Sequence, residues 1–435
     1  MNETAVSVCP VCLNRVHARK YLREGTVYLE KVCPEHGVFT VPIWRGEPEY
    51  DSWHLEPADV SLRCVATEKA RGCPYDCGIC PEHLQNVCCV LLEVTQRCNL
   101  GCPVCFASAG GDSAGDLSME EIAGMFDFLL ESGGGYNIQL SGGEPTVRDD
   151  LPEIIRLGKS KGFDFFQLNT NGLRLAHDAD YAQSLRDAGL DCVFLQFDAL
   201  TEAPYVTLRG RPLLEQKLAC IENCAKAELG VVLVPTLAAS VNDDQLGAIL
   251  DFAVERLPFV RGVHFQPISY FGRYPVELAD RLTLPELMRS IERQTGGRMK
   301  ASDFSPAAAE NSCCEFHGSF VLGPGGELTA VRSASCCCGD ASRPREYVAK
   351  QWGAPLKSSV SLRNVKPLGF DEFLTRTRQY TLAVSAMAFQ DCYTLELERL
   401  RQCHICVVTR DRRLIPFCAY NLTSLGGDTL YRGRI

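Results

Sequence analysis

The 435 residues carry a formal net charge of -10 with 46% hydrophobic and 23% charged residues, which excludes wholesale disorder and argues against a chain whose main task is coating nucleic acid. No apolar run approaches the roughly 20 residues that cross a bilayer, and the N-terminus lacks a basic stretch followed by an apolar one, so no secretory signal is expected. The 24 cysteines stand at ligand spacings in a long chain, which points to metal binding in a reducing cytoplasm and away from a disulfide scaffold.

Residues 1–64 read as a rubredoxin-like or zinc-ribbon-like module. Cys9-Pro-Val-Cys12 and Cys33-Pro-Glu-His36 are two knuckles joined by a hairpin, and together they frame one mononuclear iron or zinc. Cys9, Cys12 and Cys33 are three of its expected ligands. The fourth is either His36 or the later Cys64, and spacing does not choose between them. A structural role is expected, because so short a segment has little core of its own. Residues 65–88 carry a CX3CX2C pattern at Cys73, Cys77 and Cys80. It follows a charged, irregular stretch and is assigned to an auxiliary cluster, completed by Cys88, Cys89 or a later cysteine; a second zinc knuckle is the alternative.

From 89 to 295 strand and helix patterns alternate, as in an α/β fold with a parallel sheet. Strands are predicted at Cys89–Thr95, Tyr136–Leu140, Phe163–Leu168, Cys192–Phe197, Gly230–Leu237 and Gly262–Pro267. Ser118-Met-Glu-Glu121 is a capping-box helix start, and helices are also predicted to open at Asp150, Asp243 and Thr283. Six such units predict a partial (β/α)6 barrel whose chemistry gathers at the C-terminal strand ends. Directly after the first strand stands a second CX3CX2C, at Cys98, Cys102 and Cys105. Three thiolates on one tight loop hold three irons of a [4Fe-4S] cluster and leave the fourth iron open. The amino and carboxylate groups of S-adenosylmethionine (SAM) can chelate that iron, and an electron passed to the sulfonium releases a 5'-deoxyadenosyl radical. Spacing alone cannot tell the two CX3CX2C copies apart; the strand before Cys98 does.

Ser141-Gly142-Gly143-Glu144 follows the second strand, where consecutive glycines allow close backbone approach and Glu144 is placed to accept hydrogen bonds from an ammonium group. Asn169 and Asn171 end the third strand, and Gln196 and Asp198 the fourth; these tips suit ribose hydroxyls and the methionine carboxylate. His264 is more often a core group than an acid or base. Residues 296–435 form a cysteine-rich α+β extension. Cys403 and Cys418, separated by one hairpin, are its best ligand candidates for an auxiliary cluster. Adjacent side chains diverge, so Cys313-Cys314 and Cys336-Cys-Cys338 are each expected to give one ligand, Cys314 for the first; a redox disulfide or soft metal site is the alternative.

The CX3CX2C loop with the GGE motif resembles the radical SAM superfamily. The ordered set CPVC, CPEHG, GCPYDCGICPEH, EVTQRCNLGCPVCFA, QLSGGEPTVRDDLPEII, QLNTNG and RLIPFCAYN resembles the branch containing archaeal tetraether lipid synthase, which also includes methyltransferases acting on a pterin precursor. The resemblance implies that the GGE segment meets the methionine amine and that one or two auxiliary [4Fe-4S] clusters accompany the SAM cluster. Many members carry an aromatic against the adenine where this chain has Val104; Phe106 is the substitute. The implied reaction is hydrogen abstraction from an unactivated carbon and C–C bond formation on a lipid-like substrate. The rivals are transfer of a methyl or other SAM-derived group to a small acceptor, and a non-enzymatic electron-transfer or zinc protein. Implied partners are SAM, a small-molecule or lipid substrate and an electron donor such as flavodoxin or ferredoxin, with no nucleic acid. Arg343, Arg345, Arg363, Lys366, Arg376 and Arg378 offer a phosphate or lipid headgroup a peripheral membrane contact, although a solvated face is their more usual meaning.

Overall fold

A computed structural model describes residues 2–55, 60–110, 115–275, 280–306, 309–331, 342–353 and 369–433. Four strands, β1 (Asn2–Val8), β2 (Arg15–Arg23), β3 (Thr26–Cys33) and β4 (Gly37–Arg45), form an antiparallel meander. The single hairpin expected between the knuckles gains one strand on each side. Alternate residues of β2, Val16, Ala18 and Lys20, are buried. That face docks on the C-terminal extension: Lys20 Nζ lies 3.1 Å from the Glu396 carboxylate, and Lys31 Nζ donates to the Cys392 carbonyl at 2.7 Å.

The second sheet contains β5 (Cys89–Thr95), β6 (Asn137–Gly142), β7 (Phe166–Thr170), β8 (Cys192–Gln196), β9 (Gly230–Val234), β10 (Thr236–Leu237) and β11 (Val260–Pro267). The predicted strand 230–237 is broken at Pro235, which has no N–H to give the ladder. Strands β5 through β9 and then β11 pair in parallel, in chain order. Every residue of β5 is buried, as in a sheet covered on both faces. Helices return the chain between strands. Ser118 caps the helix Met119–Glu131 in a reciprocal capping box, and Glu286 accepts from both the N–H and the hydroxyl of Thr283. The helix expected at Asp243 begins instead at Leu246, and Asp243 accepts the Ser240 N–H.

The extension adds β12 (Ser305–Pro306), β13 (Glu315–Leu322), β14 (Leu328–Ala330), β15 (Thr381–Met387), β16 (Ile405–Val408) and β17 (Leu414–Pro416). It widens the barrel sheet on both edges, because β15 pairs in parallel with β11 and β16 in parallel with β5.

The period of two sorts the strand residues. Val90, Leu92, Ile138, Leu140, Phe166 and Leu168 join the large core shared with the helices. Their neighbours in sequence therefore face the concave side. At its lower end, helix Ser342–Trp352 plugs the barrel: the Trp352 ring lies 5.0 Å from Phe194 and 6.1 Å from His264.

Candidate functional site

β5 leads directly into the loop of Cys98, Cys102 and Cys105, and the tip of β6 is stitched to that lead. The Gly143 N–H donates to the Thr95 carbonyl and the Glu144 N–H to that of Arg97, each at 2.8 Å. A Cβ at Gly142 would stand 2.0 Å from the Thr95 oxygen, and one at Gly143 2.2 Å from the Arg97 oxygen. The two glycines thus bring β6 against the chain entering the cysteine loop. From the other side Arg273 exchanges backbone hydrogen bonds with Cys105 (2.8 and 3.0 Å) and donates Nε to the Cys102 carbonyl at 2.7 Å. Arg209 Nη1 donates to the Val104 carbonyl at 3.2 Å, and Asn171 Nδ2 to Asn99 Oδ1 at 2.7 Å.

Cys102 is buried and Cys98 and Cys105 are half-buried. Burial pushes the Cys98 thiol up to about 11, and Glu144, Cys102 and Cys105 add to the effect. A single tetrahedral ion with bonds of about 2.3 Å would draw its sulfur ligands to within about 4 Å of one another. Among the described residues, three or more His, Cys, Asp or Glu ligand atoms lie within 4.8 Å of one another only at Cys9, Cys12, Cys33 and His36. The Cys98 set is too open for one ion, and its chemistry fits a multi-iron group.

The candidate SAM contacts divide. Glu144 takes four hydrogen bonds: Oε1 accepts from the Thr146 N–H (3.1 Å) and the hydroxyls of Thr146 (2.6 Å) and Thr170 (2.7 Å), and Oε2 accepts the Asn171 N–H at 2.7 Å. It braces β6 to β7, and Oε2, with one donor, keeps an acceptor position for the ammonium group expected there. Asp198 is withdrawn. It is fully buried, held by Arg209 Nε and Nη2 at 2.7 Å each and by the Thr236 N–H at 3.1 Å. Ser141 is buried beside the glycines, and Phe106 packs on Phe417 (5.6 Å) beneath Arg432, toward the extension. Asn169 and Gln196 stay half-buried on the concave side. Gln196 meets Lys217, which the sequence reading missed. Its Nζ donates to the Asn171 carbonyl at 2.5 Å and to Gln196 Oε1 at 3.2 Å, and burial pulls its ammonium down to about 8. A lone lysine in a helix carries no motif.

The concave face is polar at Gln139, Gln167, Asn169, Gln196 and Gln266 and apolar at Phe165, Phe194, Val232 and Val234. Gln167 Nε2 donates to Asn169 Oδ1 at 3.0 Å, and Asn169 Nδ2 to Gln139 Oε1 at 3.5 Å, while Gln167 Oε1 is buried without a partner. His264 Nδ1 lies 2.8 Å from Ser385 Oγ, and burial lowers its imidazole to about 4, so it is neutral. On β5 the buried Glu93 pairs with Arg432 and meets the Tyr420 hydroxyl at 3.3 Å.

In the N-terminal meander His36 Nδ1 lies 3.7 Å from Cys9 Sγ and 3.4 Å from Cys33 Sγ, so the structure brings His36 to the three thiols. Cys64 sits near Tyr136 instead. The Cys33 thiol falls to about 7; burial opposes this, and hydrogen bonds from His36 and the Glu35 N–H outweigh it.

Cys73, Cys77 and Cys80 are buried together, with Arg401 beside Cys73. Cys88 and Cys89, two of the alternatives for completing that group beside a later cysteine, lie near Cys403. Cys314, Cys403 and Cys418 converge on one pocket. Cys336–Cys338, Arg363 and Lys366 lie outside the described residues.

Comparison with known proteins identifies the family. Residues 92–253 match the radical SAM superfamily and residues 1–45 the HMPTM N-terminal zinc ribbon domain. The chain is 32% identical to 7,8-dihydro-6-hydroxymethylpterin dimethyltransferase of Methanocaldococcus jannaschii, over 97% of this chain and 94% of that protein. It is 27% identical to GTP 3',8-cyclase of Rhodopirellula baltica over 58% of this chain and 70% of that one. Streptococcus suis SuiB, solved with its precursor peptide SuiA, aligns with a TM-score of 0.42 and 15% identity over 49% of this chain and 46% of that one. The protein is a radical SAM enzyme, and it belongs to the family that includes the M. jannaschii pterin dimethyltransferase.

Proposed function

We propose that this enzyme transfers a SAM-derived methyl group to a pterin-like heterocycle. The observation that carries this reading is the row of side-chain amides on the concave face: Gln139, Gln167, Asn169, Gln196 and Gln266. Each amide offers a donor and an acceptor, which suits the alternating donor and acceptor edge of a pterin; an alkyl chain would leave Gln167 Oε1, which has no partner within the row, unpaired at a cost of about 1–3 kcal/mol. The name of the M. jannaschii relative supports the same acceptor class. The lipid-coupling reading, expected first from the sequence, calls for a long apolar channel, and this lining weighs against it.

Cys98, Cys102 and Cys105 are the proposed ligands of the [4Fe-4S] cluster, and Ser141, Gly142, Gly143, Asn169, Asn171 and Gln196 the proposed seat of SAM. Bound together, cluster and SAM would supply a reducing electron to the sulfonium and, from it, a carbon-centred radical; that cleavage leaves the methyl group on methionine, so the methyl transferred would come from a second SAM molecule. The chain's own residues position these groups. Glu144 fixes the β7 tip, the Asn171–Asn99 bond ties that tip to the cysteine loop, and Arg273 holds the loop from behind. Trp352 and Phe194 close the lower end against water. The unpartnered Gln167 Oε1 is an acceptor for a heterocycle N–H. Cys73, Cys77 and Cys80 are proposed ligands of an auxiliary cluster, and flavodoxin or ferredoxin the proposed electron donor.

Binding separates the two acceptor classes. Quenching of 7,8-dihydro-6-hydroxymethylpterin fluorescence by the anaerobic SAM-loaded enzyme, weakened at least tenfold in Gln167→Leu, is expected. Tight binding of an archaeal diether lipid with no pterin binding would sink the proposal.

A further inference from the structure

The cysteines of the extension come from three places: Cys314 precedes β13, Cys403 precedes β16, and Cys418 lies in helix Phe417–Asn421. They line one pocket with Glu310 and Arg399. Each thiol has a polar neighbour. Arg399 Nη2 is 3.4 Å from Cys314 Sγ, the Gln390 N–H donates to Cys418 Sγ at 3.2 Å, and Cys403 Sγ donates to the Ile405 carbonyl at 3.2 Å.

Glu310 is the anomaly. Its Oε2 lies 3.1 Å from His404 Nε2, while its Oε1 is buried with no partner. The His404 contact orients the carboxyl group and leaves Oε1 over. Arg399 Nε, on the same pocket, is also buried without a partner. A buried polar oxygen with no partner is rare and unfavourable unless something outside the protein atoms meets it. A single metal ion does not fit, since these ligand atoms do not gather within 4.8 Å as those of Cys9, Cys12, Cys33 and His36 do.

We propose that this pocket holds a [4Fe-4S] cluster whose fourth iron is ligated by Glu310 Oε1, with Cys314, Cys403 and Cys418 on the other three. His404 holds the carboxylate in the way that partners of metal ligands commonly do, and Arg399 offsets the negative charge of the thiolates.

The test uses the full chain, reconstituted anaerobically and saturated with SAM to occupy the open iron at Cys98. Cys403→Ala and Cys418→Ala should each lose about four irons and four sulfides per chain relative to the parent. The SAM-dependent change in the electron paramagnetic resonance spectrum should persist in both and serves as the folding check. Glu310→Ala should keep its iron and, on adding carbon-13 cyanide, gain a hyperfine coupling that the parent and Glu310→Cys lack. Unchanged iron in both cysteine variants, or the same cyanide coupling in parent and Glu310→Ala, would overturn the proposal. A parent that shows no SAM-dependent spectrum but keeps the iron lost in Cys418→Ala would count against the Cys98 assignment and leave this site standing.

Discussion

Oε2 of Glu144 accepts the backbone N–H of Asn171 at 2.7 Å, so one carboxylate at the end of β6 holds the end of β7. Its other oxygen takes the hydroxyls of Thr146 and Thr170, and the Asn171 side chain reaches on to Asn99 in the cysteine loop. Replacing Glu144 by Ala strands four buried donors. Unfolding in urea should show a loss of about 3 kcal/mol, and calorimetric SAM affinity should fall at least tenfold. Unchanged SAM affinity with lowered stability would reduce Glu144 to a structural brace.

Gly143→Ala is a sharper perturbation. A methyl 2.2 Å from the Arg97 oxygen must push the lead of the cysteine loop away from β6. The variant should fold, since the barrel core is untouched, yet lose about four irons per chain. Retained iron together with normal circular dichroism would contradict the stitching described here.

Lys217 predicts a pH dependence. Its ammonium is fully buried and lies in the field of Asp198, Arg209, Cys220 and Glu144, and its pKa falls from 10.5 to about 8. Below pH 8 native and unfolded states both carry the proton, and the native state bears the cost of the buried charge. Between about pH 8 and 10.5 the native state releases the proton first, so this residue's contribution to stability rises with pH, by up to about 3 kcal/mol. The difference in urea stability between parent and Lys217→Met should therefore change over that range and stay flat below it. A difference independent of pH would show that Lys217 titrates normally.

The N-terminal meander should depend on metal. Cys9, Cys12, Cys33 and His36 tie its two turns together, and the remaining core there is small. A strong chelator should open residues 2–45 to limited proteolysis while the barrel stays protected, and His36→Ala should do the same. Cys64→Ala should not, because that thiol lies elsewhere.

The strands of the barrel were legible because each is a short, nearly continuous apolar run bounded by turns, as in Cys89–Thr95 and Cys192–Gln196. The hairpin that contains β16 was also legible, but the pairing of β15 with β11 and of β16 with β5 was not, since it joins segments more than a hundred residues apart and leaves no local trace. The cysteine loop and GGE could be read from spacing, but the purpose of the glycines could not: they approach the Thr95 and Arg97 carbonyls, a contact set by the register of β5 and β6. Asp198 looked like a ligand at a strand tip. Its partner Arg209 stands eleven residues on in a helix, and only the fold brings the two together. Arg273, which holds the loop, is a lone arginine with no motif around it.

The most direct test is the fate of the SAM methyl group. The reconstituted enzyme, given a chemical reductant, 7,8-dihydro-6-hydroxymethylpterin and SAM labelled with carbon-13 in its methyl group, should yield a pterin product carrying the label, and Cys98→Ala should yield none. SAM consumed by the parent enzyme with no label in the pterin would contradict methyl transfer to this acceptor.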